Sequence, residues 1–418
     1  MKLVLSIFKF FLYLLTMSFW YVIYVLVNLF ISGKSQSLAD ITNEFDTFGI
    51  TKAKQNPLLS PTDMDWEAEG VFNPAVLNIG GRIHLLYRAQ GRDGISRIGY
   101  ASSEDGITFD ERLPYPIYTP QGEYEIANES QVASALQKFD KNYRSGGGWC
   151  GAEDPRAVYV AEDNKIYLTY VAFAGWHSIR IGVVSIGVND FLAKRWNWSR
   201  PVYLTRSDII AKSGAFFPER VGGKLLFNYR VFHNELEVPC PRTHFASIEE
   251  VSARTKPAET ETDPYIQPDP YPKEIKWYSG KPSFGAPPVK TRLGWLVIQV
   301  SVAGRMEWPG SDLSCYRLGA ILLDINDPTN VLHQTNEALI EPTNWYENDW
   351  KPGVVYCCGA TIKDNELFIY YGGGDKHTAV ATAPLDQFLA ALEEEMNTNK
   401  QNSVELKKTI TKADKIDL

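Results

Sequence analysis

Cysteine is scarce in this chain and badly distributed for structural use. The five residues, Cys150, Cys240, Cys315, Cys357 and Cys358, are odd in number and the last two are adjacent, so neither a disulfide framework nor a CxxC metal knuckle emerges. Histidine is also sparse: six scattered residues show no zinc-ligand spacing, and neither a metal nor an organic cofactor is expected. Positive charge is in deficit as well. A net charge of -8 argues against a nucleic-acid partner, so isolated Lys and Arg residues near loops become the places to look for anion binding. Helical patterning is nearly absent outside the N-terminus and Leu385 to Met396, beyond which a Lys- and Asn-rich tail follows.

The longest stretch without any charge, Phe10 to Ile31, is apolar or aromatic apart from Thr16, Ser18 and Asn28. Its length suits a bilayer span, with Lys2 and Lys9 before it and Asp40, Glu44 and Asp46 beyond it. The expectation is a single-pass membrane anchor over residues 1–34 with the folded body on the extracytoplasmic side; a cleaved leader ending near Ser37-Leu38-Ala39 is the rival. Residues 35–55 read as a linker, 56–385 as the folded domain and 386–418 as a helix and polar tail.

What the chain has in abundance is one hairpin grammar. Gly81 to Arg88, Asn164 to Tyr170, Gly223 to Arg230, Gly294 to Gln299 and Asn365 to Tyr371 each begin with a turn residue and continue with alternating apolar positions. Each reads as the second strand of a hairpin. The spacing leaves room for a four-stranded sheet per repeat, which predicts an all-β, five-bladed β-propeller. In such a ring, residues far apart in sequence, such as Arg88, Asp154, Arg230 and Asp375, converge on the central channel. Two stretches stand outside the repeat: Ser134 to Trp149, and Asn234 to Lys276, which is Pro-, Glu- and Thr-rich and reads as an insertion.

The phrase Gly151-Ala152-Glu153-Asp154-Pro155-Arg156 carries the most chemistry, placing two carboxylates and a guanidinium at the mouth of a strand. Pro155 is expected to bias Asp154 into an extended pose. A loop salt bridge between Glu153 and Arg156 is the plainer alternative.

These motifs resemble glycoside hydrolase family 130, the inverting β-mannoside phosphorylases and related β-mannosidases. The resemblance runs from about Asn56 to about Ala383. It is carried by Trp66-Glu67, Gly70 to Val76, Leu86-Tyr87-Arg88-Ala89, Ser96 to Ala101, Glu153 to Arg156, Phe217-Pro218-Glu219, Gly285 to Val289, Leu318-Gly319-Ala320 and Tyr370-Tyr371-Gly372 leading to Asp375. It implies a five-bladed propeller. It also implies that Asp154 is the general acid, acting through the mannose 3-hydroxyl, and that inorganic phosphate is the nucleophile. On this basis Lys212, Arg230 and Lys281 form the phosphate cradle, while Asn73, Arg88, Arg156, Glu347 and Asp375 bind the β-manno-oligosaccharide or mannosyl glycan. Trp66, Trp149, Trp176 and Trp308 are candidate stacking platforms.

One departure stands out. Where the family has Tyr-His-Gly, this chain has Gln299-Val300-Ser301, so Val300 replaces a histidine expected on phosphate. The loss is on the scale of one hydrogen bond to a charged group, about 1.5 to 3 kcal/mol. The implied function is cleavage of β-mannosides by phosphorolysis, giving α-mannose 1-phosphate, or the reverse transfer. A β-mannosidase using water and a tethered glycan-binding propeller without catalysis remain the alternatives.

Overall fold

A computed structural model describes residues 47–127, 148–175, 178–205, 210–232, 242–247, 283–305 and 314–413. Its strands group into five antiparallel units that follow one another along the chain. The first comprises Gly70–Ile79, Arg82–Gln90, Ile95–Ser103 and Glu111–Arg112; the second comprises Cys150–Val160, Lys165–Phe173, Ile179–Gly187 and Val202–Tyr203. A short parallel pairing, Ile95 with Cys150 and Ser96 with Gly151, joins these two. The third unit is Ile210–Phe216, Leu226–Phe232 and Arg242–Ser247. The fourth is built on Gly294–Arg305 and Ser314–Leu323, flanked by Ser283–Phe284, Val289–Thr291 and Val331–Gln334. The fifth is Val355–Lys363, Glu366–Gly373 and His377–Pro384. Thr51–Lys52 pairs with His377–Pro384, so a strand from near the N-terminal end completes the last sheet, and residues expected in a linker contribute to the ring.

The apolar runs of the repeats have a physical purpose, because both faces of each sheet are buried. In Glu366–Gly373, Leu367, Ile369 and Tyr371 pack toward the fourth sheet, whereas Phe368 and Tyr370 pack toward the first. Trp295 and Val297 likewise face the third sheet while Leu296, Ile298 and Val300 face the fifth. Two further apolar clusters lie between the first and second sheets and between the second and third. Five interfaces thus close a five-bladed, propeller-like ring, each cluster built of side chains whose burial contributes on the order of 1.5–3 kcal/mol apiece. All five expected second strands occupy that place in their sheets.

Three expectations need correction. Among the described residues no helix is long and apolar enough to cross a membrane. The transmembrane part of the expected fold class, and the single-pass extracytoplasmic placement built on it, are therefore withdrawn; residues 1–34 lie outside the described residues. The supposed insertion at 234–276 contains Arg242–Ser247, the third strand of the third sheet; the rest of it, and residues 134–147 of the other, lie outside the described residues. The C-terminal helix continues well past Met396, spanning Leu385–Ala413, and anchors Phe388, Leu389 and Leu392 in the cluster between the fourth and fifth sheets.

Candidate active site

The first strands of successive sheets contact one another around the ring, and four of them break register at the same depth. The shifts fall between Phe72 and Ala75, Glu153 and Arg156, Lys212 and Ala215, and Cys357 and Gly359. A bulge inserts one unpaired residue and re-aims its side chain. Three of those residues are Asn73, Asp154 and Ser213, with φ of 50°, 48° and 59°. Asp154 is therefore left-handed, not extended as the following proline suggested. The bulge outweighs the pre-proline preference, and proline itself forfeits no ladder hydrogen bond at such a break. Backbone held in this region is a mark of functional sites. Gly372 makes room for one of these residues: a Cβ there would come within 2.0 Å of Asn73 Oδ1.

Around Asp154 the side chains form a connected charged network. Asn73 Nδ2 donates to Asp154 Oδ1 at 2.8 Å. Arg88 donates to the same oxygen at 3.2 Å, to Glu153 Oε1 at 2.9 Å and to Ser96 Oγ at 3.1 Å, and lies over the Phe72 ring. Lys212 and Arg230 face each other across the ladder of the third sheet. Burial pushes the Lys212 ammonium down, Glu153 and Asp154 oppose that, and the net direction is below the ordinary lysine value. Burial pushes the Asp154 carboxyl up, yet Arg88, the Asn73 hydrogen bond, Lys212 and Arg156 outweigh it, holding the group below the usual carboxylate range. On the far side, Lys351 Nζ donates to Asp375 Oδ2 at 2.8 Å, and Asp375 also lies in the field of Arg88.

Five cations (Arg88, Arg156, Lys212, Arg230, Lys351) and three carboxylates (Glu153, Asp154, Asp375) leave an excess of two positive charges in a protein whose net charge is -8. An excess of that kind, largely withdrawn from water, is a seat for an anion. Beside it stands a buried carboxylate that accepts from a neutral and a cationic donor, so a carboxyl group and an anion seat adjoin.

A family model described as β-1,4-mannooligosaccharide phosphorylase matches residues 51–394. The chain belongs to glycoside hydrolase family 130. It is 32% identical over 351 residues to a β-1,2-mannobiose phosphorylase from Thermoanaerobacter sp. strain X514, covering 80% of this chain and 97% of the relative. A β-1,2-mannobiose phosphorylase from Listeria innocua serovar 6a is 36% identical over 402 residues, with 83% and 99% covered. Among solved structures, β-1,2-mannobiose phosphorylase from Listeria innocua in complex with β-1,2-mannobiose superposes with a TM-score of 0.57 at 22% identity, covering 82% of this chain and 99% of that one. That likeness supports the shared fold.

Within this family-130 site the ring brings together Asn73, Arg88, Asp154, Arg156, Lys212, Arg230 and Asp375. Lys281, the third expected cradle cation, lies outside the described residues. Glu347 is elsewhere. Its buried carboxylate accepts from Lys52 Nζ at 2.6 and 2.8 Å, from Tyr371 Oη at 2.8 Å and from the Asn344 backbone at 2.6 Å, so it fastens the closing strand and caps a short 3-10 turn. Arg156 gives its Nε to the Gly285 carbonyl at 2.6 Å and Nη1 to the Asp154 carbonyl at 3.0 Å, bracing the bulge against the fourth sheet. Val300 is buried between the fourth and fifth sheets among Ile298, Leu318 and Cys357. The missing histidine therefore does not leave an apolar residue facing the anion seat.

Several residues at the site escape a linear reading. Ser213 Oγ and Tyr356 Oη are 3.1 Å apart, and Tyr356 also receives Arg156 Nη2 at 3.4 Å. The Cys358 thiol, pushed well up by burial despite Arg156, sits at the fifth-sheet bulge. The pair of prolines after Asn73 and Asp154 was a usable signal for the bulges; nothing local marks Lys351. Of the candidate stacking tryptophans, Trp66 is half-buried and donates to the Pro114 carbonyl, while Trp176 and Trp308 lie outside the described residues. Among the described residues the exposed indoles are instead Trp345 and Trp350, at 64% and 51%.

Proposed function

We propose that this chain is a β-mannoside phosphorylase that cleaves β-mannosidic bonds by a single inverting displacement on inorganic phosphate. The observation that carries the reading is the excess of cations around Lys212 and Arg230 directly beside Asp154. A phosphate dianion brings its own nucleophilic charge, so the site needs no base. The carboxylates that would have to serve water, Glu153 and Asp375, are ion-paired to Arg88 and Lys351, which disfavours hydrolysis.

In the reaction, the mannosyl residue is held by Arg88, Asp375 and Asn73. Phosphate rests on Lys212 and Arg230, with Lys281 as a further cation by resemblance. A phosphate oxygen attacks the anomeric carbon from the face opposite the leaving group, forming the new C–O bond as the glycosidic C–O bond breaks. The proton of Asp154 passes through the mannose 3-hydroxyl to the departing oxygen, and that hydroxyl is restored as the relay completes. The products are α-mannose 1-phosphate and the shortened acceptor. Run backwards, the same geometry transfers mannose from the sugar phosphate to an acceptor.

The relatives' names make β-1,2-mannobiose the first substrate to try. Initial rates with the full chain over a series of phosphate concentrations test the proposal. Turnover should vanish without phosphate and saturate as phosphate rises; mannose release at a rate indifferent to phosphate would refute it.

A further inference from the structure

Consecutive residues of a regular strand point to opposite faces of its sheet. Glu153 and Asp154 escape that rule, because Glu153 is still paired with Val171 across the ladder while Asp154 is the extra residue of the bulge, with φ of 48°. The bulge turns the second carboxylate toward the partner of the first. Both meet one guanidinium: Arg88 Nη2 donates to Glu153 Oε1 at 2.9 Å and Nη1 to Asp154 Oδ1 at 3.2 Å, while Nε is given to Ser96 Oγ at 3.1 Å. Glu153 and Arg88 are both buried.

A guanidinium that faces a single carboxylate can grip it with two parallel hydrogen bonds, the strongest form of the pair. Here Glu153 takes one arm at the shorter distance and Asp154 receives the other. The charged groups around Asp154 also include Arg156 from its own strand and Lys212 from the third sheet, with Arg230 facing Lys212 across the ladder. From the fifth sheet, Asp375 and its partner Lys351 share the field of Arg88, and the neighbouring Cys358 thiol is neutral. The cations in that set all favour the ionised form of Asp154. Glu153 and Asp375 oppose them, Glu153 from the adjoining arm of the same fork.

We infer that Glu153 is a positioning residue for Asp154: by occupying one arm of the Arg88 fork it prevents a two-armed clamp on Asp154 and keeps that carboxyl able to take up a proton. This rests on the reading of Asp154 as the acid of the phosphorylase reaction. Glu153 itself touches neither sugar nor phosphate in this role and acts only through Arg88. Without its charge, Arg88 turns more of its attraction on Asp154, and the acid gives up its proton at lower pH.

The test compares the full chain with Glu153→Gln, which keeps the shape and an acceptor oxygen but removes the charge. Infrared titration of the Asp154 carboxyl at saturating inorganic phosphate, with its band identified by its absence in Asp154→Asn, should show the midpoint lower by about one pH unit in the variant, the scale of one nearby charge. The alkaline limb of the kcat/KM profile for β-1,2-mannobiose, which reports the acid, should move down with it. Glu153→Asn, smaller and leaving room for water on the guanidinium, should give the same shift and serves if the Gln variant does not fold. Ser96→Ala removes a neutral contact of Arg88 and should leave the midpoint in place. An unmoved or raised midpoint in the Glu153 variants would overturn the inference, as would an equal shift in Ser96→Ala. If the midpoint falls while the alkaline limb stays where it was, the coupling of Glu153 to Asp154 stands and the reading of Asp154 as the acid falls.

Discussion

Asn73 donates a 2.8 Å hydrogen bond to Asp154, and the two residues hold the same place in successive sheets. Each is the extra residue of a bulge, each has φ close to +50°, and each precedes a proline. The Asp154 carboxylate is thus oriented by its structural counterpart one blade earlier.

Separating the hydrogen bond from the backbone geometry requires two substitutions. Asn73→Gly keeps the left-handed conformation and removes only the donor, so kcat should fall by about tenfold to a hundredfold, the scale of a buried hydrogen bond to a charged group, with little loss of stability. Asn73→Ala removes the same donor and adds left-handed strain of roughly 1–2 kcal/mol. Denaturant midpoints should therefore rank parent and Gly variant together above Ala, and equal midpoints for Ala and Gly would refute the strain argument.

The pH behaviour follows from the cations around Asp154. With its folded-state pKa depressed, this group adds stability above the unfolded carboxyl value, near 3.9, and that contribution is lost as pH falls through the folded value. The same depression leaves little protonated acid in the free enzyme near neutrality. A bound phosphate dianion offsets Arg88 and Lys212 and moves the acid upward. Infrared titration of the Asp154 carboxyl, identified by its absence in Asp154→Asn, should show a higher midpoint with phosphate than without; coincident midpoints would contradict the coupling.

Lys52 and Glu347 provide a structural control. Lys52→Met leaves the fully buried Glu347 carboxylate with only Tyr371 and the Asn344 N–H as donors. Breaking a buried pair costs about 3–5 kcal/mol, toward the lower end here because Lys52 is partly exposed. Stability should drop while the KM for mannobiose holds. A raised KM with unchanged stability would return Glu347 to the sugar site.

Val300→His tests the departure from the family pattern. Placing an imidazole in the apolar cluster between the fourth and fifth sheets should cost about 1–3 kcal/mol of stability without lowering the KM for phosphate. A tighter phosphate KM would show that position 300 does reach the anion.

The ring was legible because propeller strands bury both faces, so an apolar run after a turn residue recurs in all five second strands, from Arg82–Gln90 to Glu366–Gly373. The third strand of the third sheet was not, since Arg242–Ser247 sits among prolines and acidic residues that mask its pattern. Arg88 stood out as a charged residue ending an apolar strand, whereas Asp154 was singled out by the resemblance. Lys351 did not stand out, because its contact with Asp375 depends on which loops the closed ring brings face to face. Glu347 was expected on the sugar only through the resemblance, and the closing strand delivers Lys52 to it instead.

The central claim is that phosphate, not water, displaces the acceptor with inversion. Proton and phosphorus NMR of β-1,2-mannobiose incubated with the full chain and inorganic phosphate reads it most directly. The account predicts α-mannose 1-phosphate and mannose as the first products in equal amounts, and none of either without phosphate. Free mannose as the sole product, or a β-configured phosphate, would contradict it.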